Sequence, residues 1–332
     1  MNIYDIAQIC NVSTATVSRV LNGNPKVSEA TRAKVLDAIS NSGYVPSSYA
    51  RSLGSGNTKM IGIVCSNIAD MFYAEAVSLI ENGLRSNNYD CILYCTHGDL
   101  QSKIDGVHML SKQVDALVFI GSIFFEPLKT EEMKKIVSEV PVFVINGAIP
   151  GDNVYCIVSD EITVMKSIIS DMHDQGLERI VYIYDSLTYS GRKKYEGYKS
   201  GLSAYGTALD NSLICCVKRN LDTAQSQIED LISSGVSFDA VIASEDMFAI
   251  AAQKAMNTYD INVPIVSFNN SILASCANPR LTSIDFMLDT MCSTAISMLF
   301  DLLAGKRIPG RVVITPIVVE RDSFKPSFKH YY

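Results

Sequence analysis

Residues 12–22 read VSTATVSRVLN, a capped amphipathic stretch that sets the architecture of the N-terminal region. Ser13 can cap a helix here, and Val12, Val17 and Leu21 share the face that would pack inward. A short apolar helix precedes this stretch, and a tight turn joins the two. Two short helices joined in this way predict a helix-turn-helix.

The second helix of such a motif presents its N-terminal side chains to base edges in the major groove of DNA. Thr14, Ala15 and Arg19 would face outward, and Arg19 can bond a guanine through two donors. The alternative is an ordinary three-helix module with a solvated polar face, which periodicity alone does not separate from a DNA reader. The side chains that suit phosphate oxygens are Ser13, Thr16, Ser18 and Asn22.

Local signals complete a three-helix head over residues 1–46. Asn2 can cap the first helix and Ser28 the third, while Gly43 is suited to end the third helix. Residues 47–58 combine room for one helical turn with a Gly/Ser tail, which is linker composition. We therefore expect a small all-α helix-turn-helix head, followed by a hinge helix and linker.

From Met60 onward, apolar strand-like runs alternate with amphipathic helical stretches in two series that divide near Asp160. Repeated β-α units predict parallel sheets with helices on both faces. The fold class expected for residues 59–332 is therefore an α/β core with two doubly wound parallel-sheet lobes.

Two segments lie beyond the second series, a helical stretch at 287–304 and the strand-like run VVITPIVV at 312–319. Both can return to the first lobe and tie the two lobes together. The expected division of the core is lobe one at about 59–159 and 287–320, and lobe two at about 160–286.

The chain has 332 residues, 48% of them hydrophobic and 19% charged, which excludes a disordered tail protein. Its net charge of −7 is uneven: residues 1–59 carry six basic and three acidic side chains, and the remainder carries 22 basic and 32 acidic. A basic head on an acidic body indicates that only the head meets a polyanion.

Several features of the sequence predict that the protein is located in the cytoplasm. The N-terminus MNIYDIAQIC has no basic-then-apolar leader, and no apolar run reaches the ~18 residues that a membrane helix needs. The nine scattered cysteines are then most simply reduced thiols. We expect a cytoplasmic, nucleoid-associated protein without a membrane partner.

Four runs of the head are distinctive: IYDIA at 3–7, VSTATVSRVLNGNPKVSEATRAKV at 12–35, GYVP at 43–46 and ARSL at 50–53. Together they resemble the head and hinge of LacI/GalR-family transcriptional regulators. The NGNPKVSEATR stretch looks most like the catabolite-control branch. The core is similar more loosely, through IGIV at 61–64 and Gly197-Tyr198 among others, so the resemblance spans about the whole chain.

The resemblance implies a periplasmic-binding-protein-like core that closes around a small polar effector, sugar-like or a related metabolite. It also implies a sequence-specific DNA-binding regulator, most simply a repressor, that binds a palindromic double-stranded operator as a homodimer. In the hinge it implies that each Leu53 wedges into the minor groove, at a cost in base unstacking offset by contacts to the bent DNA. The alternative is that Leu53 docks on the body.

In open α/β sheets, ligands bind beyond the carboxyl ends of the strands. The family's ligand-gripping arginine is replaced by Lys194, which cannot make a bidentate fork, and Arg192 is placed to compensate. Asn269 and Asn270 replace two acids, which favours a neutral or weakly acidic effector. The rule and the family pattern together nominate Phe72, Tyr73, Ser122, Asn146, Asp160, Lys194, Glu245, Asp246, Asn269 and Phe286 as effector-binding residues.

Other classes of protein stay open beside the effector-controlled regulator: a solute-binding protein, an enzyme on a doubly wound fold, or an orphan regulator without an effector. A nucleophile–base set cannot be assembled, and no GxGxxG or P-loop lysine occurs. None of the four histidines has metal-ligand spacing. We therefore expect no enzyme activity, no cofactor and no metal.

Overall fold

Three short helices form the head. The computed structural model describes residues 2–21, 24–43, 57–96, 99–121 and 130–327. Within the first two of these ranges the helices are α1 (Ile3–Ile9), α2 (Thr14–Leu21) and α3 (Glu29–Ser42). Asn22, Leu53 and Ser122, which the sequence nominates as contact residues, lie outside the described residues, as does most of the expected hinge.

The head helices begin and end at the residues that the sequence predicts. Asn2 Oδ1 accepts the backbone N–H groups of Tyr4 and Asp5 at 2.8 and 3.2 Å, and the Asp5 carboxylate accepts the Asn2 N–H at 2.8 Å. Ser28 caps α3. Gly43 ends α3 with a φ of +63°, a conformation that costs glycine little because it has no Cβ.

A small apolar core holds the head together. Ile6 of α1, Val17 and Val20 of α2, and Val35 of α3 are all buried. Because each helix contributes to one shared cluster, burial of these side chains fixes how α2 sits against its neighbours. The opposite face of α2 is left toward solvent.

The first lobe is built on a six-stranded parallel sheet. Its strands are β1 (Met60–Cys65), β2 (Asp90–Cys95), β3 (Ala116–Ile120), β4 (Val142–Ile145), β5 (Val154–Ser159) and β11 (Arg311–Ile314). They lie in the order β11-β5-β4-β3-β1-β2, and every pairing is parallel. All residues of β3 and β4 are buried, as expected for strands covered by helices on both faces.

The second lobe is built on a sheet of the same size. Its strands are β6 (Ile180–Tyr184), β7 (Ile214–Cys216), β8 (Ala240–Ala243), β9 (Ile265–Phe268), β10 (Thr282–Asp285) and β12 (Ile317–Val319). They lie in the order β12-β10-β9-β8-β6-β7. All pairings are parallel except that of β10 with β12, which is antiparallel.

Helices cover both sheets. They are α4 (Met71–Ser86), α5 (Leu100–Ser111), α6 (Glu131–Glu139), α7 (Glu161–Asp174), α8 (Tyr189–Ala204), α9 (Leu221–Ser233), α10 (Asp246–Thr258), α11 (Ile272–Cys276) and α12 (Leu288–Leu303). The late helix α12 packs against α4 of the first lobe, as expected. Among the helices described, none is both long and apolar enough to cross a bilayer.

The single strand predicted at 312–319 is wrong. Residues 311–314 form β11 in the first sheet, whereas 317–319, which the sequence assigned to the first lobe, form β12 in the second sheet. Pro316 lies between them and has no N–H with which to continue a ladder. The chain therefore crosses between the lobes three times, after β5, after β10 and after β11, and the carboxyl ends of both sheets border one cleft.

Candidate functional site

The outward face of α2 is the candidate DNA-reading surface. Ala15 and Arg19 are exposed and Thr14 is half-buried, while Val17 lies in the core. Within the described part of the chain Arg19 forms no ion pair, so its guanidinium is available to a base or a phosphate.

Two of the side chains nominated for phosphate contacts, Ser13 and Thr16, form hydrogen bonds at the start of α2. Ser13 Oγ accepts the Thr16 N–H at 3.1 Å and lies 2.9 Å from Thr16 Oγ1. This cap satisfies a donor that the first turn of α2 would otherwise leave open. Both hydroxyls are therefore oriented by the helix start before any DNA is present.

The cleft between the lobes contains two adjoining compartments. We call the one that holds Lys194 the lysine compartment, with a volume of about 370 Å³, and the other the acidic compartment, with about 500 Å³. Residues of both lobes line each of them. The residues shared by the two compartments are Asn67, Asp70, Phe72, Arg219, Glu245, Asn269 and Phe286.

The structure brings most of the nominated effector-binding residues together. Those that line the lysine compartment are Phe72, Tyr73, Asn146, Lys194, Glu245, Asn269 and Phe286. Asn146, Glu245, Asn269 and Phe286 lie directly after or close to strand ends, whereas Phe72, Tyr73 and Lys194 lie in the N-terminal halves of helices that follow strands. This arrangement agrees with the strand-end rule. Phe72 and Tyr73 meet edge to face with ring centroids 5.6 Å apart, which fixes two aromatic walls.

Asp160 and Arg192 are not among the described residues that line the cleft. Asp160 is the cap of α7 and accepts the Thr163 N–H at 3.2 Å. Arg192 Nη1 donates to the Leu187 carbonyl at 3.0 Å, on the exposed side of its helix. The compensating role predicted for Arg192 stays a prediction.

Lys194 is a buried cation held at the carboxyl edge of the second sheet. Its Nζ donates to the Ser244 carbonyl at 2.8 Å and lies 4.9 and 5.0 Å from the ring centroids of Phe268 and Phe286. Burial lowers the pKa of Lys194, although Glu245 and Glu161 oppose the shift. A single hydrogen bond leaves Nζ with further donors for a ligand oxygen.

Arg219 is the residue that sequence reasoning missed. Its Nη1 donates to Asp185 at 2.9 Å and to Glu245 at 2.6 Å, and its Nη2 donates to Glu245 at 2.8 Å and to Asp70 at 2.6 Å. Partial burial by itself would lower the pKa of Arg219, but the neighbouring carboxylates of Glu245 and Asp70 raise it. Because Asp70 caps α4 in the first lobe, this guanidinium joins the two lobes across the cleft.

The Asp246 carboxylate accepts four hydrogen bonds from neighbouring residues, which leaves it few lone pairs for a ligand. The residue is buried, and its carboxylate accepts the hydroxyls of Ser267, Ser271 and Ser283 together with the Ser271 N–H. These bonds tie the start of α10 to β9, to β10 and to the start of α11. Asp246 thus positions these elements, and it also lines the acidic compartment.

Two buried polar atoms of the lysine compartment lack a partner among the described residues. They are Asn146 Oδ1, directly after β4, and Ser244 Oγ, directly after β8. Asn146 has a φ of +55°, which turns the chain sharply at the strand end. A buried acceptor without a donor costs about 1–3 kcal/mol, so a ligand hydroxyl that donates here would be bound favourably.

Glu161 lies behind Lys194 at the start of α7 and is 1% exposed. Within the described structure neither of its carboxyl oxygens has a hydrogen-bond partner of good geometry. Burial raises the pKa of Glu161 to about 7, and the Lys194 ammonium and the Ser190 hydroxyl limit the rise. This carboxyl group therefore changes charge near neutral pH.

Known protein families match both parts of the chain. The family described as bacterial regulatory proteins, lacI family, matches residues 2–47, and the periplasmic binding protein-like domain matches residues 169–324. An HTH-type transcriptional regulator of Lachnoclostridium phytofermentans is 40% identical over 330 residues, which cover 97% of this chain and 99% of that protein. Catabolite control protein A of Priestia megaterium is 29% identical over 336 residues, which cover 99% of each.

Solved structures share the fold. The lac repressor dimer bound to operator and the anti-inducer ONPF has a TM-score of 0.83 at 19% identity, covering 97% of this chain and 98% of that one. The complex of the transcriptional regulator CelR with cellobiose has a TM-score of 0.70 at 23% identity, covering 98% and 100%.

A helix-turn-helix head on a two-lobed periplasmic-binding-protein-like core defines a class of DNA-binding transcriptional regulators. The chain belongs to the LacI family of bacterial regulatory proteins. The resemblance seen in the sequence is confirmed, and so is the prediction that the protein is not an enzyme, since its relatives are regulators.

Proposed function

We propose that the protein is a repressor whose affinity for DNA is set by a small, sugar-like effector bound between the lobes of its core. The observation that carries this proposal is the lysine compartment, where the unpartnered acceptors Asn146 Oδ1 and Ser244 Oγ stand beside the aromatic walls Phe72 and Phe286. Apolar faces with a few convergent polar groups suit a polyhydroxylated ring.

The fold neighbours support the same interpretation. One of them, CelR, holds cellobiose, and another, the lac repressor, is a dimer on an operator. By this likeness we infer a homodimer that binds a palindromic operator in the cytoplasm. The head takes residues 1–46, the hinge and linker 47–58, and the effector-binding and dimerisation core 59–332.

In this proposal Thr14, Ala15 and Arg19 contact bases, and Leu53 of each hinge enters the minor groove. The effector binds one arrangement of the lobes better than the other, and the difference in its two affinities is the free energy that reaches the hinge. The Arg219–Asp70 ion pair joins the lobes directly. A ligand that displaces or strengthens this ion pair therefore changes the relative stability of the two lobe arrangements.

The test begins with selection of bound duplexes from a random pool by the full chain, followed by sedimentation of the protein with the selected DNA. We expect a palindromic consensus and two chains per site. Cellobiose, glucose and other saccharides are then titrated into the complex while DNA binding is followed by fluorescence anisotropy. A saccharide that shifts operator affinity supports the proposal, and a sequence-independent DNA affinity contradicts it.

One observation favours an orphan regulator as the second candidate. Arg219 and its three carboxylate partners already occupy the boundary between the two compartments with internal ion pairs. A core held closed in this way needs no ligand to keep one hinge arrangement. The same saccharide titration separates the two candidates, because an orphan regulator binds its consensus equally with every saccharide.

A further inference from the structure

The charge of the cleft is strongly negative. Only two cationic side chains, Lys194 and Arg219, occur among the described residues that line it. The carboxylates that line it number seven: Asp70, Glu75, Asp185, Glu245, Asp246, Asp285 and Asp289. This differs from the sequence expectation of a neutral or weakly acidic effector, which rested on the loss of acids at Asn269 and Asn270.

Both cations are already compensated by the protein. Arg219 is bonded to Asp70, Asp185 and Glu245, and Lys194 lies close enough to Glu245 and Glu161 for both to act on its pKa. Neither cation therefore presents a free positive charge to a phosphate or a carboxylate. An anionic ligand would meet more repulsion than attraction in this cleft.

Three carboxylates of the acidic compartment have no cationic partner among the described residues. They are Glu75 on α4, Asp289 on α12 and Asp285 at the end of β10. Asp285 accepts only neutral donors, the Asn270 amide at 2.9 Å and the Met287 N–H at 2.6 Å. Burial and the fields of Asp289 and Asp285 together raise the pKa of Glu75, so these charges act on one another.

A metal ion is a poor fit to this arrangement. In the part of the chain that the structure describes, no three acidic, histidine or cysteine side chains converge closely enough to hold one. The negative charge is instead spread along a compartment of about 500 Å³ that also has the apolar faces of Phe72 and Phe286. An extended organic cation fits such a surface, because aromatic rings attract cations as carboxylates do.

We propose that the effector is a cationic saccharide, with its hydroxyl-bearing ring in the lysine compartment and an ammonium group in the acidic compartment. This rests on the proposed effector site and specifies its ligand class. The donors required by Asn146 Oδ1 and Ser244 Oγ are the ring hydroxyls, and the ammonium group faces Glu75, Asp285 and Asp289. The two compartments share a boundary, so one disaccharide can occupy both.

The test compares disaccharides of equal size and different charge on the full chain. The probes are the β-1,4-linked dimers of glucosamine and of glucose, and a cellobiose derivative oxidised to a uronic acid. Affinities are measured by calorimetry at pH 6.5 and low salt, where the amine is protonated. We expect the glucosamine dimer to bind more tightly than cellobiose by about tenfold or more, and the difference to shrink as salt screens the charges.

A pair of matched double variants locates the effect. Glu75→Gln with Asp289→Asn should weaken binding of the glucosamine dimer about tenfold more than binding of cellobiose, and so remove the preference between the two. Glu81→Gln with Asp301→Asn removes one acid from each of the same two helices, but away from the cleft, and should retain the preference.

The outcomes separate the inference from the function on which it rests. If cellobiose binds as tightly as the glucosamine dimer, or if the acid binds best, the cationic class is wrong while the effector site stands. If the preference survives the loss of Glu75 and Asp289, the ammonium does not bind in the acidic compartment. If none of the three probes binds to a chain that still binds its DNA consensus, the cationic disaccharide is refuted as the ligand, and the wider saccharide titration of operator binding decides whether the proposed effector site stands.

Discussion

Lys194 combines two properties that an effector contact needs. It is held rigidly, by one hydrogen bond to the Ser244 carbonyl and by two aromatic rings, and it retains donors that face the lysine compartment. Position 194 was predicted from the sequence alone through family resemblance. What the sequence does not contain is the neighbourhood of that ammonium, which is assembled from residues far apart in the chain.

Replacing Lys194 should uncouple the effector from DNA. Lys194→Met keeps most of the side-chain volume but removes the donor and the charge, so we expect effector-free operator affinity to stay nearly intact while the response to effector is lost. Anisotropy titrations with and without effector measure both quantities. Lys193→Met, at a half-buried lysine paired with Glu196, is the control and should respond as wild type. An unchanged response in Lys194→Met would show that Lys194 is not a contact.

Arg19 is expected to read a base. Arg19→Ala should cost about 1–3 kcal/mol of operator binding and relax the preference at one base pair per half-site. Lys34→Ala removes the same charge from an exposed site on α3 and should not change base preference. Binding measured on the consensus and on single-base variants gives the answer. Equal weakening on every sequence would make Arg19 a phosphate contact instead.

The buried Glu161 predicts how stability depends on pH. Its pKa in the folded protein is about 7, above the ordinary value of 4.5, so between these values the folded state holds a proton that the unfolded state releases. Stability should therefore fall as pH rises from about 4.5 to 7, by up to about 1.4 kcal/mol per pH unit from this group. Urea unfolding across that range measures the slope.

Glu161→Gln should flatten that slope, because the amide cannot ionise. The control Glu139→Gln changes an exposed carboxyl on α6 and should leave the pH profile as it is in wild type. A Glu161→Gln profile that still parallels wild type would place the titrating group elsewhere.

At the scale of elements, local chemistry predicts helix ends well and polar strands badly. Asn2, Ser28 and Gly43 act on neighbours within the same turn, so their roles can be recognised in the sequence. Strand β10 reads TSID and has little apolar content, yet Thr282 and Ser283 are fully buried because the Phe324 carbonyl and Asp246 accept their hydroxyls. Such partners belong to the tertiary structure, and no local pattern predicts them.

Strand β5 departs from the alternation of strands and helices that the sequence predicts. It is apolar, but it follows β4 through residues 146–153 without an intervening helix, so a pattern of alternating strands and helices does not predict it. Arg219 is also hard to predict from the sequence, because its partners are brought to it only by the tertiary structure. It lies just beyond the carboxyl end of β7, where the strand-end rule would nominate it, but its partners come from three other loops.

The hydroxyl network around Asp246 should stabilise the second lobe. Asp246→Asn replaces an acceptor of four hydrogen bonds with a group that must donate through one arm, and we expect a loss of about 1–3 kcal/mol in the free energy of unfolding. Asp222→Asn is the matched control, since Asp222 is also a first-turn acid of a second-lobe helix but is exposed. Equal denaturation midpoints for the two variants would mean that the network contributes little.

At the scale of the whole molecule, two lobes are joined by three chain crossings and by an ion pair. The crossings hold the lobes beside each other, and the Arg219–Asp70 contact spans the cleft that they form. A ligand bound between them therefore contacts both bodies at once. The central claim is that this occupancy and DNA binding are energetically coupled.

Reciprocity tests that claim most directly. The affinity of the full chain for its effector is measured by calorimetry without DNA and then with saturating consensus operator, and operator affinity is measured with and without saturating effector. The account predicts that both ratios are equal and lie in the range of about 5–150-fold, because coupling of two equilibria is symmetric. An effector affinity that is the same with and without operator would contradict it.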